Sequence, residues 1–384
     1  MKSEMTHRER VLAALNHQEP DRVPLDIAGT KCTTLHRVAY QNLITQLGLP
    51  ARPGIIWDPM QQAVLPEEDV LQYFDVDTRS IWAGAPDGFK PRDLGPDFYE
   101  DEWGVVRFCP KGGYYFDLHK CPLEGDPTME DLERFPWPDP DDPGRVRGLR
   151  ERAEYLHWKT DYTVVLNLGA TLLHTSQYLR GLESWFMDLA LRPDFMHALL
   201  DKILDVHVRT IRNVLREIGG QNIDVVFIAD DLTADTGPMF SPASYREFLK
   251  PRLKQIIGAI REFSEAKILY HCCGAAHYFI DDLVESGVDA INPVQTSAQG
   301  MDPAQLKVRF GGRVSFWGGI DTRRVLNHGT PENVRAEVHR VIRALAPGGG
   351  YVVNFVHNAQ PDVKPENIVA MVNAVREFGH YPLD

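Results

Sequence analysis

From about residue 160 onward, short β-branched runs alternate with longer amphipathic segments, and this regularity restricts the folds open to the chain more than any other feature. The apolar runs are Tyr162 to Leu168, Asp224 to Asp230, Lys267 to Cys273, Ala290 to Val294, Val314 to Gly319 and Tyr351 to Val356. Between them lie helices with clear punctuation. Ser241-Pro242 opens one, Thr330-Pro331 opens another with Gly348 to Gly350 beyond its end, and Lys364-Pro365 opens the last, which stops at Gly379. Strand, helix, strand in this order means parallel pairing with right-handed crossovers. With Val23 to Gly29 and Val76 to Trp82 added, the strand count comes near eight. The pattern predicts an α/β protein with a distorted TIM-type (β/α)8 barrel in preference to an open doubly wound sheet. No Gly-x-Gly-x-x-Gly or phosphate-loop sequence follows any of these runs, which argues against a nucleotide site.

The segments before residue 160 read as additions to that barrel. Thr6-His7-Arg8-Glu9 is a capping-box pattern, and Val11, Leu12 and Leu15 start an apolar helical stripe that ends before Pro20. Between about 95 and 145 the chain makes an excursion. Tyr99 to Leu118 alternates aromatic and polar residues around Lys111-Gly112-Gly113, a hairpin signal, and Pro136 to Pro143 reads as a rigid, extended connector. The 384 residues are 43% hydrophobic, enough for one large core, so we expect a single barrel domain over 1–384 with an N-terminal extension and this inserted excursion.

Charge and cysteine content narrow the function classes. With 41 basic against 54 acidic residues the formal net charge is -13, and no dense Lys/Arg run is present, so neither nucleic acid nor a membrane is an expected partner. Met1 to Thr6 leads into polar helical sequence without an apolar leader, which predicts a cytoplasmic protein. The five cysteines, Cys32, Cys109, Cys121, Cys272 and Cys273, form no regular framework and point to thiol or metal chemistry instead of structural disulfides.

In a barrel of this kind the C-terminal ends of the strands carry the chemistry. Those ends are polar here: Asp26, Asp230-Asp231, His271-Cys272-Cys273, Asn292 and Gln295, Trp317 with Asp321, and His357-Asn358-Ala359-Gln360. Side chains alternate along a strand, so His271 and Cys273 point one way and Cys272 the other. An imidazole and a thiolate converging on one spot make half of a zinc site, with Cys272 left to packing. His357, at the end of the last strand, faces the same mouth and is the natural third ligand. Three protein ligands with an open fourth position would make the site catalytic. Two alternatives stand beside this set: His277 could complete it from the following turn, or His357 could simply be hydrogen-bonded in its loop.

Several of these segments carry a family likeness. Gly237 to Pro242 with Tyr245 to Pro251, the His-x-Cys-Gly of 271 to 274, Asn292-Pro293-Val294-Gln295, Trp317 to Thr322 and His357 to Asp362 together resemble the uroporphyrinogen decarboxylase superfamily, over Arg8 to Phe378. That resemblance implies a distorted TIM barrel and a choice between porphyrinogen decarboxylases and zinc-dependent methyltransferases that serve corrinoid proteins. A decarboxylase of this kind needs a paired-arginine N-terminal segment to hold the carboxylates of its tetrapyrrole. Here the region reads Leu25-Asp26-Ile27-Ala28-Gly29-Thr30-Lys31, with no arginine pair. The methyltransferase branch resembles the chain more closely, since its zinc is held by a His-x-Cys pair and a third residue after the last strand. That residue is usually cysteine, and His357 stands there in this chain.

The resemblance therefore implies a zinc-dependent methyltransferase or demethylase that moves a methyl group from a small methylated compound, such as an aryl methyl ether, to a corrinoid protein. The expected cofactors are Zn²⁺, held by His271, Cys273 and His357, and a corrinoid on the partner protein; a homodimer is also implied. Two imidazoles and one thiolate would leave the centre with a formal charge of about +1 and make it a strong Lewis acid. Asp230 or Asp231 is expected to orient a ligand histidine or to handle the leaving group's proton. Asn292 and Gln295 are expected to bind polar groups of the substrate, while Trp317, Phe355 and Tyr114, with Trp82 and Met60, would shape an apolar pocket. The rival functions are decarboxylation of a smaller acid on the same barrel and a non-catalytic, metal-stabilised binding protein.

Overall fold

The structure is a computed structural model and describes residues 4–383. It begins with a helix, α1 (His7–Leu15), started by the expected capping box between Thr6 and Glu9. Seven strands then form one parallel sheet: β1 (Thr78–Trp82), β2 (Thr163–Asn167), β3 (Val225–Ala229), β4 (Lys267–His271), β5 (Ala290–Asn292), β6 (Ser315–Trp317) and β7 (Tyr351–Val352). Each strand pairs in parallel with its neighbours in the chain. Among the helices packed around them are α2 (Leu172–Arg180), α3 (Pro193–Ile218), α4 (Pro331–Leu345) and α5 (Pro365–Phe378).

The seam between β7 and β1 is closed by residues 23–28. Val353 donates its N–H to Pro24 O (2.9 Å), Asp26 donates to Val353 O (3.0 Å), and Asp77 donates to Leu25 O (2.9 Å). The segment thus takes the eighth place, and the curled sheet becomes a distorted TIM-type barrel. Asp26 anchors it. Its carboxylate, fully buried, accepts from Trp317 Nε1 (2.8 Å), Thr78 Oγ1 (2.6 Å) and the Gly29 N–H (2.7 Å). A Cβ on Gly29 would lie 2.4 Å from Asp26 Oδ1, so this turn accepts only glycine.

Alternation sorts the strand residues into two layers. Val165, Val225, Phe227, Ala229, Leu269, Ala290, Trp317 and Val352 fill the barrel interior, with Val11 and Leu15 of α1 below and Cys32 in the same cluster. The other face packs against the helices in one continuous apolar layer that includes Ile228, Ile268, Tyr270, Cys272, Ile291 and Phe316. α1 closes the N-terminal end, where Arg8 Nε meets Asp224 (3.1 Å) just before β3. Among the described residues no helix is long and apolar enough to cross a membrane.

The excursion is more built than its hairpin signal suggests. The antiparallel pair Val106–Phe108 and Asp117–Lys120 flanks Lys111 to Gly113 as expected, but Phe98–Glu100 adds a third strand. The turn that joins it to Val106–Phe108 is made by Asp101, whose Oδ1 accepts the N–H groups of Trp103 and Val105, and by Gly104 at φ +76. A turn made by a side chain in this way carries no two-residue glycine signature. A second small sheet, Leu35–His36, Ile55–Asp58 and Ala63–Leu65, was not expected at all, because its strands are too short to show alternation.

Candidate metal centre and adjoining cavities

His271 is the last residue of β4 and lies two positions beyond inward-facing Leu269, so its ring enters the top of the barrel interior. There it is 3% exposed. Its Nδ1 sits 2.5 Å from Asn292 Oδ1, and the Asn292 amide donates its Nδ2 to Trp317 O at 3.1 Å. Because Asn292 thus presents its oxygen, Nδ1 of His271 carries a proton and Nε2 faces the mouth; burial works against a second proton there, but Cys32 and Cys273 raise the pKa of the ring well above its usual value.

Two groups of donor atoms share this imidazole. Cys32, His271 and His357 offer ligand atoms that all lie within 4.8 Å of one another, and so do Asp231, His271 and Cys273. Cys273 Sγ is 3.2 Å from His271 Nε2, and Asp231 Oδ1 is 3.7 Å from it. The sequence expectation of His271, Cys273 and His357 as one set is therefore modified. His357 meets His271 in company with Cys32, while Cys273 meets it beside Asp231. His277, the alternative third ligand, belongs to neither group. Its ring packs on Tyr278 and against Gly300 instead.

Burial and neighbours set the protonation of the two sulfurs apart. Burial works to raise the Cys32 thiol, but the His271 and His357 imidazoles outweigh it and bring the thiol down to about 6. Cys273 goes the other way, pushed up to about 11 by burial and by the Asp231 carboxylate. Cys272, on the opposite face, is fully buried in the outer layer, and its sulfur accepts the Leu232 N–H at 3.4 Å.

The two aspartates have divided roles. Asp230 accepts the N–H groups of Leu172, Leu173 and His174 (2.9–3.0 Å) and so holds the first turn of α2, which takes up both of its oxygens. Burial raises its carboxyl to about 6. Asp231 faces the mouth, takes the Cys273 N–H at 2.7 Å and stands 3.5 Å from His174 Nε2. Burial works against protonation of His174, yet its bond to Asp231 and the charges of both aspartates raise its pKa overall.

Sequence reasoning missed both Cys32 and His174. Cys32 follows an irregular segment, not a regular strand, so no alternation points to it. His174 looks like any polar residue of an amphipathic helix.

Of the residues expected to bind substrate, Trp317 and Phe355 are fully buried packing residues, and the Trp317 indole is spent on Asp26. Asn292 holds His271, and Gln295 ties Gly274 N–H to Asp235. Tyr114 is half exposed, and its carbonyl is engaged by His36 and Gln62. The open space lies elsewhere, beyond the C-terminal ends of β1 and β2. A cavity of about 230 Å³ is walled by Trp57, Trp82 and Trp103 above Asn167 and His207. A second, of about 170 Å³, runs between Met60, Tyr99 and Tyr178, and Lys31, Trp103 and Gly169 border both. Trp82 and Met60 are thus placed in cavity walls.

Residues 115–378 match the family model of uroporphyrinogen decarboxylase (URO-D). The chain belongs to the URO-D family. URO-D relatives include the uroporphyrinogen decarboxylase of Pseudoalteromonas translucida, 32% identical over 48% of this chain and 49% of that protein. Another, from Pseudomonas fluorescens, is 29% identical over 69% of this chain and 74% of its own length. The chain thus spans about half the length of the first relative and about three quarters of the second. Among solved structures, a methyltransferase from Methanosarcina mazei has the same fold across 98% of this chain and 99% of its own, with a TM-score of 0.64 at 19% identity. The barrel expected from the strand pattern is accordingly that of the URO-D family.

Proposed function

We propose that this URO-D family member is a metal-dependent methyltransferase that removes a methyl group from a small methylated compound and passes it to a corrinoid carried by a separate protein. The observation that carries the reading is the convergence of two donor groups, Cys32 with His357 and Cys273 with Asp231, on the His271 imidazole. Two imidazoles and two sulfurs suit Zn²⁺, and with Nδ1 held by Asn292, His271 would give up its second proton to present Nε2 to the metal. A bound Zn²⁺ would supply Lewis acidity that makes the demethylated atom a better leaving group. If both sulfurs bind as thiolates the centre is formally neutral. The expectation of a +1 charge then holds only when one sulfur stays away.

The chain's own residues would do the rest. His271, His357 and the two cysteines would hold the metal, Asn292 orients His271, and Asp231 holds a proton on His174 Nε2 that can pass to the departing oxygen. The methyl C–O bond would break with its electron pair left on oxygen, which takes that proton, and a reduced corrinoid would supply the electron pair that receives the methyl carbon.

A decarboxylase acting on a smaller acid is the second reading, and the names of the curated relatives favour it. Against it stand the donor cluster, for which porphyrinogen decarboxylation has no use, and the missing arginine pair in 25–31.

One set of measurements separates the two. The purified protein should hold about one equivalent of zinc and transfer methyl groups from a methyl-ether panel to cob(I)alamin without releasing carbon dioxide. In cobalt-substituted protein, Cys32→Ser and Cys273→Ser should each remove part of the sulfur-to-cobalt absorption. Carbon dioxide release without methyl transfer, or a protein that takes up no metal, would overturn the proposal.

A further inference from the structure

The larger cavity holds an uncompensated charge. Of the charged groups on its wall, Arg145 pairs with Glu102 (Nη2 to Oε2, 2.6 Å) and gives its Nε to Asp139 O at 2.6 Å, so these two cancel. His207 is neutral, because burial depresses it to about 4 while its Nε2 meets Thr171 O at 3.3 Å. Lys31 remains. Its backbone is pinned, the N–H to Asn167 Oδ1 (3.1 Å) and the carbonyl to Asn358 Nδ2 (3.0 Å), but among the described residues its ammonium group has no hydrogen bond or ion pair. Neither carboxylate of the smaller cavity pairs with this ammonium group: Asp101 faces Arg107 at 3.7 Å, and Asp58 accepts the Gln61 N–H at 3.2 Å.

The walls around this cation are aromatic. Trp57 and Trp82 lie with ring centroids 5.1 Å apart, and Trp103 completes that side. Flat apolar faces accept a planar ring, and a partly desolvated ammonium group beside them calls for an anion. A methylated ammonium compound would also suit three indole faces. Here, however, it would meet Lys31, and the carboxylate of Glu102 is already engaged.

We propose that this cavity binds a small methylated aromatic acid, its ring against Trp57, Trp82 and Trp103 and its carboxylate at Lys31 Nζ. The methyl group of this ligand rests on the methyl-transfer reading above, whereas the ring and the acid rest on the cavity alone. Lys31 immediately precedes Cys32, so the residue that fixes the acid is covalently joined to one that borders the metal centre. Lys31 is in these terms a binding residue that sets which end of the ligand lies away from the donors.

The test is equilibrium binding to the metal-loaded, full-length protein without corrinoid, read by quenching of tryptophan fluorescence. Methoxybenzoate, methoxybenzene and methoxybenzylamine serve as probes. The acid should bind about tenfold or more tighter than either of the others. Lys31→Met should erase that preference with the metal content unchanged, and Lys31→Arg should keep most of it. Equal binding of the neutral or cationic probe, or a preference that survives Lys31→Met, would overturn the proposal. Should Lys31→Met fail to fold, the order of the three probes on the unaltered protein decides. Acid binding without methyl transfer would sink the reaction and leave the ligand class standing, and methyl transfer without acid preference would do the reverse.

Discussion

The two ends of this barrel both gather ionisable side chains, and they use them in opposite ways. At the N-terminal end, fully buried Asp77 accepts from Arg10 Nη1 and Arg22 Nη1 (both 2.7 Å) and from the Leu25 N–H, and lies 2.7 Å from His7 Nδ1. Arg10 is held a second time by Asp21 at 2.7 Å. Each of these charges has its opposite within hydrogen-bond reach. At the C-terminal end, sulfurs, imidazoles and a carboxylate converge, groups that carry lone pairs or negative charge and that only a proton or a cation can reconcile. Complementary clusters stabilise the fold, whereas clusters of like donors mark a place where something binds.

The largest expected effect tests the C-terminal side. His271 is the one residue shared by both donor groups, so His271→Ala should abolish metal retention and all measurable methyl transfer while the chain stays folded, as metal analysis and circular dichroism would report. Retention of stoichiometric zinc would break the contrast between the two ends. Next comes Asp77→Ala, which leaves Arg10 and Arg22 without their shared carboxylate and should cost about 3–5 kcal/mol in denaturant unfolding. The fraction that folds should keep its zinc; a loss of metal there would show that the ends are not independent.

The cavity wall lies between these extremes, and pH separates it from both. Burial brings His207 down from 6.5 in the unfolded chain to about 4 in the folded protein. Between those values the unfolded chain binds a proton that the folded protein refuses, so stability is full above the upper value and falls as the pH drops through the window. The loss should reach about 3 kcal/mol, measured as the difference between the unaltered protein and His207→Gln in denaturant titrations at each pH. A difference that does not change with pH would mean that His207 is protonated in place. The smallest effect expected is that of Asn292→Ala, which frees the His271 ring without removing a donor. Zinc affinity should fall by about 10–100-fold in competition with a chelator.

Much of this was legible in the residues, for reasons that also explain the gaps. Regular strands betray themselves by alternation, which placed His271 and Cys273 on one face and Cys272 on the other. The helix starts at Thr330 and Lys364 were written in prolines and caps. Cys32 was invisible because Ile27 to Thr34 is a loop held by Asp26 and Asn167 side chains, and loops have no period to read. Trp317 looked like a pocket wall because it ends a strand near the mouth; only the fold shows that Asp26 claims its indole. Lys31 and the three cavity tryptophans come from four separate loops or strand ends, and no local pattern joins them.

The seam between the first and last strands carries a consequence for the making of the protein. Cys32 precedes the first strand of the sheet and His357 follows the last, yet they border the same imidazole. A growing chain can pair β1 through β6 in turn, but residues 23–28 have no second neighbour until β7 emerges to receive them. A chain halted before β7 forms therefore lacks the His357 imidazole, and the donor group around His271 is incomplete until the seam closes.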